Sequence, residues 1–304
     1  MATNAAILWL NHGRQRLGLL PALGGGVAAW RLHHGDRWVD LWRPWDGSSE
    51  DRYTFANFPL LPWTNRISGG GFDADGRFHP VAPNRPGEPY PIHGDGWLQP
   101  WDAERVAADT MRLHLVSDRF GGNPHHYRAT QTFRLLDDGL DQTLAVTHLG
   151  DTPLPYGLGL HPYFPRSTGT RITAAVDGVW LGGDDPLPTG HTDRLPDGWD
   201  LPHGAPAHGS FIDNCFTGWS GEATVDWPDT GLRVRMRDLG VTERRRRDGF
   251  CLVYRPPVGG AFCLEPVSHP IDAFHVDGRP GLRVLQPGET MQLAVQWRVE
   301  RPLD

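Results

Sequence analysis

Lysine is absent from this chain: all 29 of its basic residues are arginine. Schiff-base aldolases, pyridoxal enzymes and phosphate-loop nucleotide binders need an amine, so those chemistries are excluded. Cysteine is scarce, and Cys215, Cys251 and Cys263 are odd in number, far apart and in no C-x-x-C pair. That excludes a disulfide framework and leads us to expect buried free thiols in a reducing compartment. No apolar run reaches the length of a membrane span, and residues 1–10 carry no basic leader, which predicts a soluble cytoplasmic protein. Net positive charge is lacking too. The formal charge is −7, and the one basic run, Arg244 to Arg247, leads into Asp248-Gly249 as a solvated turn would, so nucleic acid is not an expected partner. There is no H-E-x-x-H and no G-x-S-x-G, and no G-x-G-x-x-G stands between a strand and a helix.

Sustained helical periodicity is also missing, whereas turn-forming residues are abundant. The 304 residues include 38 glycines and 28 prolines, more than a fifth of the chain, which suits strands joined by many turns. Alternation of apolar and polar residues marks strands at residues 112–116, 140–148 and 232–237, and a long closing strand at 291–299. Asp75-Gly76 between two short alternating segments predicts a hairpin with a two-residue turn. Residues 184–208, rich in Pro, Gly and Asp, read as a long surface connection. Strands of like character flank that connection, with no shift in composition, so one domain over residues 1–304 is expected. Its class is all-β: a large antiparallel β-sandwich with very little helix.

Two titratable residues stand in apolar settings. His161 lies in Tyr-Gly-Leu-Gly-Leu-His-Pro-Tyr-Phe, held either as a satisfied core imidazole or as a proton donor. Nothing beside it has the spacing of a second metal ligand, so no metal is expected. Glu265 in Ala-Phe-Cys-Leu-Glu-Pro-Val stands at the end of an apolar strand, where proline is expected to stop the ladder. Desolvation would lift its pKa from about 4.3 toward neutrality, as a general base needs, and an ion pair with an arginine is the competing reading. Arg66 follows a proline-broken apolar segment and offers a planar fork to several oxygens. His93 lies in a Gly-rich loop, and Asp213 lies between aromatic and apolar residues, where Asx-turn chemistry would also explain it. The pairs His33-His34 and His125-His126 would point to opposite strand faces, which disfavours joint metal ligation. Thirteen tryptophans supply core bulk or faces for a sugar ring.

The order of these motifs is shared. Pro-Trp-Thr-Asn-Arg-Ile, Ile-His-Gly, Gly-Leu-His-Pro-Tyr-Phe, Ile-Asp-Asn-Cys-Phe and Leu-Glu-Pro-Val-Ser-His-Pro occur in the sequence in which aldose 1-epimerases carry them. The chain resembles that galactose mutarotase-like family over nearly its whole length. The resemblance implies a large β-sandwich with a sugar cleft across one sheet, a monosaccharide substrate, no cofactor, and a monomer or homodimer. It makes Glu265 the base at the anomeric hydroxyl and His161 the acid at the ring oxygen. Arg66, its neighbour Asn65, His93 and Asp213 would bind the sugar. The alternatives are an epimerase of a phosphorylated or sulfonated sugar on the same fold, a hydrolase using Asp213 with Glu265, and a non-catalytic sugar-binding module.

Overall fold

The computed structural model describes residues 6–242 and 249–301; the Arg244 to Arg247 run lies outside the described residues. The alternating segments form strands as expected. In Leu232–Asp238, for example, Leu232, Val234 and Met236 are buried while Arg233 and Arg235 remain partly exposed. Nine such strands make one antiparallel sheet, ordered Ala205–Pro206, Arg171–Ala174, Glu222–Trp227, Leu232–Asp238, Thr290–Glu300, Gly139–His148, His126–Leu136, Thr110–Asp118, Asp102–Ala107. Seven strands form the main path of a second sheet, ordered Pro188–Thr192, Gly178–Gly182, Ile212–Thr217, Phe250–Arg255, Ala261–Val267, Gly159–Leu160, Pro59–Leu60, and Tyr163–Pro165 also pairs with Ala261–Val267. A four-stranded N-terminal sheet, from Leu8–His12 to Arg37–Asp40, and two hairpin-sized pairs complete the strands. Helix among the described residues amounts to Leu239–Thr242 and four single 3-10 turns, and none is long and apolar enough to cross a membrane.

The hairpin at Asp75-Gly76 forms as predicted. Both residues have positive φ (49° and 71°) between Gly71–Ala74 and Arg77–Pro80, a combination glycine permits at the second position. One expectation needs correction. Residues 184–208 are not a bare connection, because Pro188–Thr192 adds an edge strand to the second sheet and Ala205–Pro206 an edge to the first. Proline and glycine are tolerated there because an edge strand leaves half its backbone groups without a ladder partner.

The largest fully buried side chains are tryptophans. Trp42 lies edge-on between Trp30 (5.0 Å) and Trp297 (5.2 Å), joining the N-terminal sheet to the centre of the nine-stranded one. All three cysteines are buried and free, as expected. In the second sheet, all seven residues of Ala261–Val267 are buried, so both faces of that strand are covered. Alternation then divides them. Phe262 and Leu264 enter the large core shared with the tryptophans, whereas Cys263 and Val267 join a smaller apolar cluster with Phe58, Tyr163 and Leu252. Glu265 shares the face of Cys263, so the chemistry sits on the side of the sheet away from the main core. Truncating Leu264 to alanine is expected to cost about 2–5 kcal/mol, read as a lower urea midpoint, because the position is closed on all sides.

Candidate active site

Across the centre of the second sheet, antiparallel register sets two rows of side chains side by side. Tyr163 is opposite Cys263 and Gly159 opposite Val267, and the same register sets His161 opposite Glu265. On the next strand Leu252 faces Glu265 and Tyr254 faces Cys263; beyond it, Cys215 faces Leu252 and Asp213 faces Tyr254. On the other side, the His161 N–H donates to the Phe58 carbonyl (3.0 Å). One row therefore runs Cys215, Leu252, Glu265, His161, Phe58, and its neighbour runs Asp213, Tyr254, Cys263, Tyr163. The strand does not end at Glu265 as the sequence suggested: Pro266 and Val267 still pair with Cys251 and Phe250. Pro162 and Pro266 instead remove donors from the ladder around the pair, which is why Gly159–Leu160 and Tyr163–Pro165 are two strands rather than one.

The His161 ring is stacked between Phe58 (4.5 Å) and Tyr163 (4.9 Å), with Tyr53 and His93 edge-on to it. Its Nε2 is 3.4 Å from Glu265 Oε1, with both side chains at least 95 % buried. The two atoms are within ion-pair distance but are not joined by a hydrogen bond. Among the described residues, both carboxylate oxygens and His161 Nδ1 have no hydrogen-bond partner. Buried polar groups in that condition are uncommon and costly. Burial drives the two groups in opposite directions. It raises the Glu265 pKa well above the carboxylate range, helped by the nearby Asp213 charge and opposed by Arg66. It lowers His161 to about 3, with a favourable backbone contact only partly opposing this. Burial thus favours the neutral form of each group.

A cleft of about 600 Å³ opens over this pair, lined by Asn65, Arg66, Glu88, His93 and Asp213 among others. Each sequence-predicted residue is in it. Asn65 and His93 both adopt left-handed backbone conformations (φ 51° and 62°) and clasp one another. The Asn65 N–H donates to His93 Nδ1 (3.0 Å), and the His93 N–H donates to the Asn65 carbonyl (2.9 Å). Burial, reinforced by His161, keeps His93 neutral, so its proton must be on Nε2. Asn84 fixes the loop behind it, donating to the carbonyls of Ile92 (2.9 Å) and Gly94 (2.7 Å). Gly94 must lack a side chain, since a Cβ there would be 1.9 Å from the Leu61 carbonyl oxygen. Beneath the loop, the buried Asp95 carboxyl accepts from Tyr127, Asn123 (2.5 Å) and Gln99 (3.3 Å); burial nevertheless pushes it up to about 6.

Arg66 is not an ordinary surface arginine. Glu88 grips it in a fork (2.9 and 3.2 Å), and its Nη1 donates to Asn65 (3.2 Å) and Asp213 (3.4 Å). Glu88 was not singled out in the sequence, nor were Arg43, Tyr53, Arg85, Tyr163 and Tyr254, which also line the cleft. Only the Tyr two positions after His161 gave a hint, through strand alternation. No tryptophan is among the lining residues, contrary to the possibility of sugar-facing tryptophans; the aromatic faces there are those of Tyr53, Tyr163 and Tyr254. Register also supplies what local spacing could not: one donor atom each from His161, Cys263 and Glu265 lie within 4.8 Å of one another.

Residues 7–298 match the family described as aldose 1-epimerase. The chain belongs to this family. It is 34% identical over 304 residues to YphB of Escherichia coli K12, an uncharacterised protein, covering 96% of this chain and 99% of that one. An aldose 1-epimerase candidate from Escherichia coli K12 superposes with a TM-score of 0.89 at 32% identity, over 98% of this chain and all of that one. The GalM/aldose epimerase homologue of C. elegans shares the fold, with a TM-score of 0.80 at 17% identity over 98% and 99% of the two chains.

Neutralising Glu265 gives a stability test of its environment. A raised folded pKa means the fold binds more protons than the unfolded chain once pH exceeds about 4.3, so wild-type stability is lost as pH climbs from there through the folded pKa. Glu265→Gln has no such loss. Its stability relative to wild type should therefore increase between pH 5 and pH 8 in urea titrations; a constant difference would contradict the desolvated carboxyl.

Proposed function

We propose that this protein interconverts the α and β anomers of a free aldose by ring opening and reclosure. The observation that carries the reading is the His161–Glu265 pair, 3.4 Å apart and buried at the floor of a cleft rimmed by polar groups. As a carboxylate, Glu265 takes the proton of the anomeric hydroxyl. The electron pair of that O–H bond becomes the second bond of the aldehyde, the bond from the anomeric carbon to the ring oxygen breaks, and His161 protonates that oxygen. Rotation about the bond between the first two carbons turns the other aldehyde face inward, and the reverse transfers close the second anomer. General acid–base work of this kind contributes about 10²–10⁴-fold per group.

The surrounding groups suit a polyol. His93 Nε2–H and the Arg66 Nη1 edge can donate to the ring oxygen and hydroxyls, and Asp213 can accept from a hydroxyl. Because Arg66 is compensated by Glu88 and Asp213, it adds little net charge for an anion. A second reading has one specific support. Arg43 lines the cleft, lies 3.8 Å over the Tyr163 ring, and has no carboxylate within ion-pair distance among the described residues. A phosphorylated or sulfonated aldose would supply that counter-charge. A pure binding module is the weaker alternative, since an unpartnered buried carboxyl costs about 1–3 kcal/mol that binding alone would not require.

Polarimetry or NMR of freshly dissolved α-galactose and α-glucose tests the proposal. The protein should accelerate anomer exchange of a neutral aldose, and absence of acceleration for every neutral aldose would reject it in favour of the anionic substrates. Glu265→Gln and His161→Asn should each lower kcat by at least about 10² while sugar binding stays measurable by calorimetry. Near wild-type rates in either variant would overturn the assigned roles.

A further inference from the structure

The row-and-neighbour arrangement that pairs His161 with Glu265 also brings in a thiol. Cys263 precedes Glu265 by two residues and shares its face, directly opposite Tyr163. A ring nitrogen, a sulfur and a carboxylate oxygen from the three residues lie within 4.8 Å of one another, and all three residues are buried. Nitrogen, sulfur and oxygen donors together are the ligand set of zinc-class ions, which take four ligands in a tetrahedron. Bonds of about 2.0–2.2 Å at tetrahedral angles put neighbouring nitrogen and oxygen donors about 3.4 Å apart. His161 Nε2 and Glu265 Oε1 are already at 3.4 Å. Sulfur, with its bond of about 2.3 Å, requires an edge of about 3.6 Å, against the 4.8 Å within which all three donor atoms lie.

A second feature points to a ligand. Both Glu265 oxygens, on a residue 1 % exposed, lack any hydrogen-bond partner among the described residues. His161 and Glu265 line the cleft, whereas Cys263 does not, so an ion entering from the cleft would meet the imidazole and carboxylate first, with the thiolate behind them. The fourth position would face the cleft. We propose that His161, Cys263 and Glu265 form a binding site for a soft divalent cation of the zinc class, and that an ion held there blocks the proton-transfer pair. Thiolate and carboxylate together balance the charge of the dication, and the protons they carried pass to solvent. The inhibitory part rests on the epimerase reading; the binding part does not.

Cadmium, softer than zinc and of equal charge, reports on the site directly through its thiolate charge-transfer absorption in the ultraviolet. Chelator-treated full-length protein should develop this band on addition of one equivalent of Cd²⁺. Cys263→Ser should abolish it, and Cys251→Ser, on the opposite face of the sheet, should leave it intact; Cys263→Ala serves if the serine variant folds poorly. Zn²⁺ should slow wild-type anomer exchange with an inhibition constant at least about tenfold lower than in the Cys263 variant. No band in wild type, or a band that survives in both Cys263 variants, would overturn the site. A band lost with Cys263 in a protein that accelerates no aldose would leave the site standing and remove the epimerase reading instead.

Discussion

Glu265 and His161 meet across adjacent strands with no guanidinium within ion-pair distance of the carboxyl among the described residues, and with apolar or aromatic neighbours on either side. A carboxylate in such a place is unstable as an anion unless something donates to it. Much of the local architecture follows from that constraint. The strand bearing Glu265 is covered on both faces, one by the tryptophan-rich core and one by the smaller cluster under the cleft, so water reaches the pair only from the cleft. Pro162 splits the segment between Gly159 and Pro165 into two short strands, whereas the strand bearing Glu265 runs on through Pro266. The stacked Phe58 and Tyr163 rings then fix the plane of the imidazole.

Around this pair the cleft is held by backbone and side-chain contacts that leave defined donors free. His93 receives the Asn65 N–H on Nδ1, which forces its proton to Nε2. Arg66 spends one edge on Glu88 and shares the other with Asn65 and Asp213. These elements come from loops rather than the sheet, and loops position side chains well only when their backbone is pinned. Here Asn84 and the Asp95 cluster do the pinning. Arg43 differs, since it holds the carbonyls of Tyr53 and Phe55 (2.6 and 2.7 Å) and has no carboxylate within ion-pair distance among the described residues. The cleft therefore combines a compensated arginine suited to hydroxyls with an uncompensated one.

The strands were legible because alternation is a local signal, and so was the hairpin at Asp75-Gly76. The positions of His161, Glu265, Arg66, His93 and Asp213 could be picked out because each combines a chemically active side chain with an apolar or proline-bounded setting, and their order matched one family. What local reading could not supply was cross-strand register. Cys263 looked like any buried small residue, yet register puts it beside Glu265. Glu88, in a loop of prolines and glycines, had no pattern to separate it from a solvated acid, and only the fold brings it to Arg66. Pro266 was misjudged as a strand end for the same reason: a proline removes one donor, but whether the strand stops depends on the partner strands. The edge strand Pro188–Thr192 was hidden because edge pairing needs little apolar alternation.

The proposed ring opening and reclosure would impose a symmetry on the acid and base. In one direction a carboxylate and an imidazolium are consumed; in the other, a carboxylic acid and a neutral imidazole. The two states differ only by where one proton sits, and in water reference pKa values favour the charged form by about two units. Burial acts on both groups against that preference, raising Glu265 and lowering His161. Sugar hydroxyls donating to the Glu265 oxygens would restore part of the stabilisation that the protein withholds, moving the balance back toward the ion pair. The orphaned carboxyl oxygens then become intelligible. A protein donor on them would fix the carboxylate permanently, whereas on the proposed reading a bound sugar would supply the donors and bring the two proton arrangements closer in energy.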